Sequence, residues 1–154
     1  MPASRSDISS SPPWRSRLRA ESPDHRFVAE INPAHEMTMG GPTHGTLCVS
    51  AGLHLDHCSP VFVWSDDSRF LAMPRCIHGF WRGFRQHLLV VDVVDRWIYR
   101  SASLAPLLVP ESFTNGRLTV IRNPHRRPTT LTWNIPQSLS TDFIKKKGSW
   151  AYLT

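Results

Sequence analysis

From Val61 to Ser101 short apolar runs alternate with small polar clusters, and their spacing is that of strands rather than helices. Val61-Phe62-Val63-Trp64 is β-branched and aromatic, which suits a pleated, half-buried strand. Ser65-Asp66-Asp67-Ser68 follows, with short side chains that hydrogen-bond the local backbone and so favour a turn. Arg69 to Met73 reads as the returning strand, and Pro74, which has no N–H to donate, is expected to stop it. Residues 74–85 then read as a loop. Leu88 to Val91 is apolar at every position, as in a strand buried on both faces. Val94-Asp95 supplies a tight connection, after which Trp97, Tyr99 and Ser101 alternate with Arg96, Ile98 and Arg100. The stretch therefore predicts an antiparallel meander of strands joined by short links.

Elsewhere the pattern is sparser. Phe27–Ile31, Thr46–Ser50 and Leu53–His57 read as strands, with residues 32–45 as a loop rich in turn signals. Residues 103–109 read as a helical turn or irregular link ending at Pro110. Arg117–Arg122 and Thr129–Asn134 read as strands joined by "NPHRRP". After Pro136 a short helix is expected, with Ser140 or Thr141 as N-cap and Lys145 to Lys147 in its last turn. Trp150–Leu153 is a closing strand or a tail. Residues 1–20 are rich in serine and arginine, lack the apolar core of a secretory signal, and read as a disordered tail. The expected organisation is a single β-rich domain over residues 21–154.

Two stretches match each other. "SPDHRFVA" (Ser22 to Ala29) and "SDDSRFLA" (Ser65 to Ala72) share Ser, Asp, Arg, Phe and Ala, five of eight positions, at an offset of 65 − 22 = 43 residues. A period of that length with four strands per unit is the signature of propeller blades. "TNGRLTVI" (Thr114 to Ile121) is a weaker third copy, although Asn115-Gly116 is a strong hairpin turn in its own right. The pattern P-x-x-x-W-S-D-D-S-R-F-L-A followed by L-L-V-V-D-V resembles a blade of the TolB-like and WD40-like β-propeller repeats. Pro60, Trp64, Ser65, Asp67, Arg69 and Asp92 fit that scheme. The resemblance covers one good blade, residues 59–101, with partial blades on either side, and it implies blade-like β structure while saying almost nothing about function. Propellers close with four to eight blades, whereas 154 residues accommodate about three such units. The expected fold class is therefore mainly β: an antiparallel meander of about three blade-like units, arranged as an open partial propeller, a sandwich or a half-barrel.

Composition narrows the function classes. Thirteen prolines and eight glycines interrupt the chain too often for long helices, and no apolar stretch reaches the 18 residues of a membrane span. Cys48, Cys58 and Cys76 are an odd number without an export signal, which points to reduced thiols and a cytoplasmic setting. Charge is unevenly placed. Residues 1–95 carry nine Arg and ten Asp or Glu, a balance of −1, whereas residues 96–154 carry nine Lys or Arg against Glu111 and Asp142, a balance of +7. A basic region on a near-neutral body attracts polyanions or acidic partners.

Candidate chemistry is thin. "HLDHC" places His54, His57 and Cys58 together with Cys48 upstream, but on a strand His57 points away from the other two, and zinc needs three or four converging ligands. Asp66 and Asp67 read as turn residues pointing apart rather than as an acid/base pair. No nucleophile elbow, protease-type cysteine or phosphate loop is present. No metal or cofactor is expected. "RCIHGFWRGFRQH" (Arg75 to His87) is the stretch richest in recognition chemistry: Phe80, Trp81 and Phe84 lie among Arg75, Arg82 and Arg85. Interleaved aromatics and arginines suit a protein interface, where Trp and Arg are frequent anchors, or base stacking combined with phosphate contacts. The leading expectation is a non-enzymatic module that binds a protein through these six residues. The alternatives are a nucleic-acid or other polyanion binder that adds Arg122, Arg126, Arg127 and the lysine run, and an enzyme with a site near His54, His57 and Asp67.

Overall fold

Among the described residues every pair of neighbouring strands in this chain runs antiparallel. The computed structural model describes residues 18–36, 43–79 and 83–147. Twelve strands are formed: β1 (Leu18–Glu21), β2 (Val28–Glu36), β3 (Thr43–Val49), β4 (Leu53–Cys58), β5 (Val63–Trp64), β6 (Phe70–Gly79), β7 (Gly83–Asp92), β8 (Trp97–Ser101), β9 (Leu108–Thr114), β10 (Arg117–Arg122), β11 (Thr129–Asn134) and β12 (Phe143–Lys146). A nine-stranded sheet runs β1-β2-β3-β4-β6-β7-β8-β12, with β5 following β4 along the same edge of β6, and a smaller sheet runs β11-β10-β9. Neither closes into a barrel. Among the described residues no helix is long and apolar enough to cross a membrane.

The large sheet doubles back on itself. In a flat sheet β1 would lie three strand positions from β5, about 14 Å away. Yet the Trp64 indole donates to the Ala20 carbonyl at 3.2 Å, and the Asp24 N–H donates to the Ser68 hydroxyl at 2.9 Å. The fold-back makes β1–β4 an outer layer over a middle layer of β6, β7, β8 and β12. Ala20, Ala29, Ile31, Leu47, Val49, Leu53 and Leu55 of the outer layer meet Leu71, Met73, Leu89, Val91 and Ile98 of the middle layer in one core. The other face of the middle layer, Phe70, Ala72, Leu88, Val90 and Phe143, packs on Leu108, Phe113, Leu118 and Val120 of the three-stranded sheet in a second core. Leu88 to Val91 lie between the two cores, each at most 2 % exposed.

The turns at Ser22 and Ser65 share one hydrogen-bonding scheme. The serine N–H donates to the phenylalanine carbonyl five residues on, at 2.8 Å in both, and the serine hydroxyl bonds the aspartate carboxylate and accepts the phenylalanine N–H. The same aspartate accepts the following arginine's N–H, at 3.0 Å from Arg26 and 3.1 Å from Arg69. His25 and Ser68 both take positive φ, 64° and 65°. Thr114–Ile121 does not adopt this turn. Asn115 and Gly116, at φ 52° and 75°, make a two-residue hairpin loop instead, which the sequence of that turn dictates.

Several expected boundaries are wrong, and most fail at proline. Residues 74–79 and 83–85 are not a loop: β6 and β7 pair from Phe70↔Asp92 to Gly79↔Gly83, so these residues are the outer half of a long hairpin. Pro74 sits inside β6 because its carbonyl, and therefore the site of its missing N–H, faces the break between β4 and β5, where Ser59 donates to it at 2.9 Å. Residues 32–36 and 43–45 likewise extend β2 and β3, with Pro33 absorbed in a bulge between Asn32 and His35, while residues 37–42 of the expected loop lie outside the described residues. Pro110 lies in edge strand β9 at a bulge containing Glu111, not at the end of a helical turn. The expected helix after Pro136 is only a 3₁₀ turn, Gln137–Ser140, and the lysines continue into β12, which pairs with β8. β1 begins at Leu18, inside the stretch read as a tail; residues 1–17 and 148–154 lie outside the described residues.

Candidate functional site

On the middle layer the face that forms the first core does not stay apolar. Strand alternation places Leu71, Met73, Arg75 and Ile77 of β6 on it, with Val91, Leu89, His87 and Arg85 of β7 opposite them in register. Ile98 and Arg100 continue the face on β8, and Ile144 and Lys146 on β12. Arg75, His87, Arg100 and Lys146 therefore supply one nitrogen-bearing side chain per strand in a stripe that crosses four adjacent strands. Arg75 and His87 are direct cross-strand partners; Arg100 and Lys146 each lie nearer the apolar end, so the stripe runs diagonally.

This stripe lines a cleft of about 630 Å³ at the open end of the wedge between the outer and middle layers. The outer layer contributes His54, Asp56 and His57 of β4, and Lys147 extends the basic side. Arg75 Nε donates to the Asp56 carbonyl at 2.9 Å, which fixes its guanidinium at the cleft edge. Among the described residues Arg75, Arg100, Lys146 and Lys147 make no ion pair with a carboxylate. His87 is only 4 % exposed, and its Nε2 has no hydrogen-bond partner among the described residues. Burial, together with the charges of Arg100, Arg75 and Lys146, lowers its pKa to about 4, so the ring is neutral at neutral pH.

The residues singled out in the sequence fall in different places. Arg75 belongs to the cleft, and Arg85 occupies the same face of β7 two residues from His87. Phe84 pairs with His78 in the backbone ladder of β6 and β7. Phe80, Trp81 and Arg82 lie outside the described residues. Arg122, Arg126 and Arg127 border the β10–β11 connection of the separate small sheet and do not line the cleft. His87 and Arg100 were missed as site residues. The signal was present: once residues 85–91 are read as one strand, Arg85 and His87 share a face with Leu89 and Val91.

The thiol and carboxylate candidates resolve into structural roles. Cys58 faces the core, and burial pushes its thiol up to about 12. Cys48 faces outward, with Sγ 3.3 Å from His54 Nδ1; partial burial, then the Glu30 and Asp56 charges, raise its pKa and disfavour the reactive thiolate. All three cysteines are free, and no group of three or more His, Cys, Asp or Glu among the described residues is placed to hold a metal ion. Asp66 and Asp67 point apart: Asp67 serves its own turn, while Asp66 accepts the Asn115 N–H at 2.9 Å. No protein-family profile, no curated protein and no solved structure matches this chain.

Proposed function

We propose that this chain is a non-enzymatic binding module for a polyanion, with a phosphate-bearing polymer such as single-stranded nucleic acid lying along the basic diagonal. The observation that carries this reading is the stripe Arg75–His87–Arg100–Lys146, one residue on each of four paired strands, with no ion pair from its cations to a carboxylate among the described residues. Cations held on a sheet face keep a fixed spacing, and a shallow cleft with low-dielectric walls strengthens their field. The sequence between Arg75 and Arg85 also carries Phe80, Trp81 and Phe84, aromatics that suit base stacking beyond the phosphate contacts. Asp56 at the rim opposes the effect at one point only.

The test is the affinity for a single-stranded oligonucleotide over a salt series. Binding at low salt should weaken as salt rises, with a slope of about −0.7 per phosphate contact in a log–log plot. Arg100→Gln and Lys146→Gln should each lower affinity for all sequences alike and reduce the slope by about one contact. No binding at low salt, or binding indifferent to salt, overturns the reading.

A further inference from the structure

The His87 Nε2 is a buried polar atom with no hydrogen-bond partner among the described residues, and its residue lines a cleft edged by cations. A buried nitrogen left unbonded is costly, so a native structure that keeps one calls for a partner supplied from outside. The surroundings define that partner's charge. Arg75 stands directly across from His87 in the ladder, and Arg100 stands one row away on β8. A cation is repelled there, and a neutral donor leaves both guanidinium groups unpaired. An oxyanion meets all three needs: it accepts from the imidazole, and planar guanidinium forks match its oxygens.

We infer that the cleft binds a tetrahedral oxyanion, the phosphate of a phosphoryl ligand, with an oxygen on His87 Nε2 and its charge met by Arg75 and Arg100. This rests on the polyanion reading and sharpens it to one phosphate-sized subsite. In the neutral ring the Nε2–H donates to the anion. Burial first, and then the nearby cations, keep His87 neutral; a bound anion opposes the cations' share, so His87 takes up one proton from solvent as pH falls. The charged and titratable groups that line the cleft with His87 are Arg75 on β6, Arg100 on β8, Lys146 and Lys147 at β12, and His54, Asp56 and His57 of β4; Arg85 lies beside it on its own strand, and His54 is turned toward Cys48. His54 and His57 are the other two imidazoles at the site, so any test must separate them from His87.

Sulfate is the first probe, because it stays doubly charged throughout the range of interest. Wild-type protein should bind sulfate about tenfold more tightly at about pH 5 than at about pH 7.5. Long-range proton–nitrogen NMR should show the His87 Nε2 resonance moving on titration. His87→Gln should abolish the pH difference, and Arg100→Gln should weaken binding at both pH values. Flat sulfate affinity in the wild type, or a pH difference that persists in His87→Gln and so belongs to His54 and His57, overturns the inference. If His87→Gln fails to fold, the wild-type resonance decides: an unmoved His87 signal overturns it. Inorganic phosphate and a short oligothymidylate distinguish the sources of the group. Movement with phosphate alone supports a free or terminal phosphate, and movement with the oligonucleotide alone supports a backbone phosphodiester. Salt-sensitive oligonucleotide binding with a silent His87 overturns the subsite and leaves the polyanion reading standing. Sulfate at His87 without oligonucleotide binding supports the subsite and overturns the polymer.

Discussion

The outer layer β1–β4 and the middle layer β6–β8 are built from similar antiparallel strands, yet their sequences read differently. In the outer layer one face is core and the other is open: Leu47 and Val49 are buried, while Cys48 between them is partly exposed and pairs with His54. In the middle layer both faces are covered, so Leu88, Leu89, Val90 and Val91 are all buried with no polar residue among them. The difference teaches that burial on two faces, not strand identity, sets the local pattern. It also explains where the binding face arises. The middle layer's inner face becomes basic only beyond the reach of the outer layer's apolar cover, where Arg75, His87 and Arg100 look into the cleft.

Adjacent substitutions break or sharpen this contrast most strongly. Leu88→Ala and Leu89→Ala should each cost about 2–5 kcal/mol in urea unfolding, because each leaves a cavity in a different core. In the outer layer Leu47→Ala should cost a similar amount, whereas its neighbour Cys48→Ala should cost less than about 1 kcal/mol. If Leu88 and Leu89 prove as unequal as Leu47 and Cys48, the middle layer is not covered on both sides.

A smaller effect separates the two ends of the middle layer's inner face. His87 has a pKa of about 4 in the folded chain against an ordinary value of 6.5, so the unfolded chain takes up the proton first. The stability is fully present above about pH 6.5 and is lost as pH falls toward 4, a decline of at most about 3 kcal/mol. Replacing His87 by Gln should flatten that part of the stability-versus-pH curve; an unchanged curve would show that His87 is not kept neutral by its surroundings.

The two related turns differ by less again. At Asp24 the carboxylate serves its own turn: it accepts the Arg26 N–H, bonds the Ser22 hydroxyl and pairs with the exposed Arg26 side chain, and these interactions hold its pKa below the usual range. Arg69 instead reaches across the hairpin to Asp92 at 2.8 Å and to Asp95 at 3.0 Å, and Asp92 is 2 % exposed. Asp92→Ala should therefore cost about 2–3 kcal/mol, short of a fully buried pair because Arg69 is itself partly solvated. Asp24→Ala should cost clearly less in the same thermal melt. Equal losses would mean that the long-range pair adds nothing to the shared turn.

Much of the fold was legible because its signals are local. The Ser65–Ser68 turn, the Asn115-Gly116 hairpin, the strands Arg117–Arg122 and Thr129–Asn134, and the two-faced burial of Leu88–Val91 all follow from turn chemistry and alternation over a few residues. Pro33, Pro74 and Pro110 misled for the converse reason. A proline forbids a hydrogen bond in one direction only, and whether a neighbour occupies that direction is settled by strands far away in the chain. At Pro74 it is settled by the gap between β4 and β5. The lysine run reads locally as the end of a helix because its partners on β8 lie 145 − 99 = 46 and 146 − 98 = 48 residues upstream.

By itself, then, the order of residues determined that this chain forms antiparallel hairpins, where most of them turn, and which of them must be buried on both faces. Only the tertiary structure decided that Arg75, His87, Arg100 and Lys146 share one stripe, because they lie on four strands spread over residues 75–146 and acquire a common surface through register alone. Propensity acts over a few neighbouring residues, whereas a binding face is assembled from cross-strand neighbours, whose identity depends on how the whole sheet is ordered.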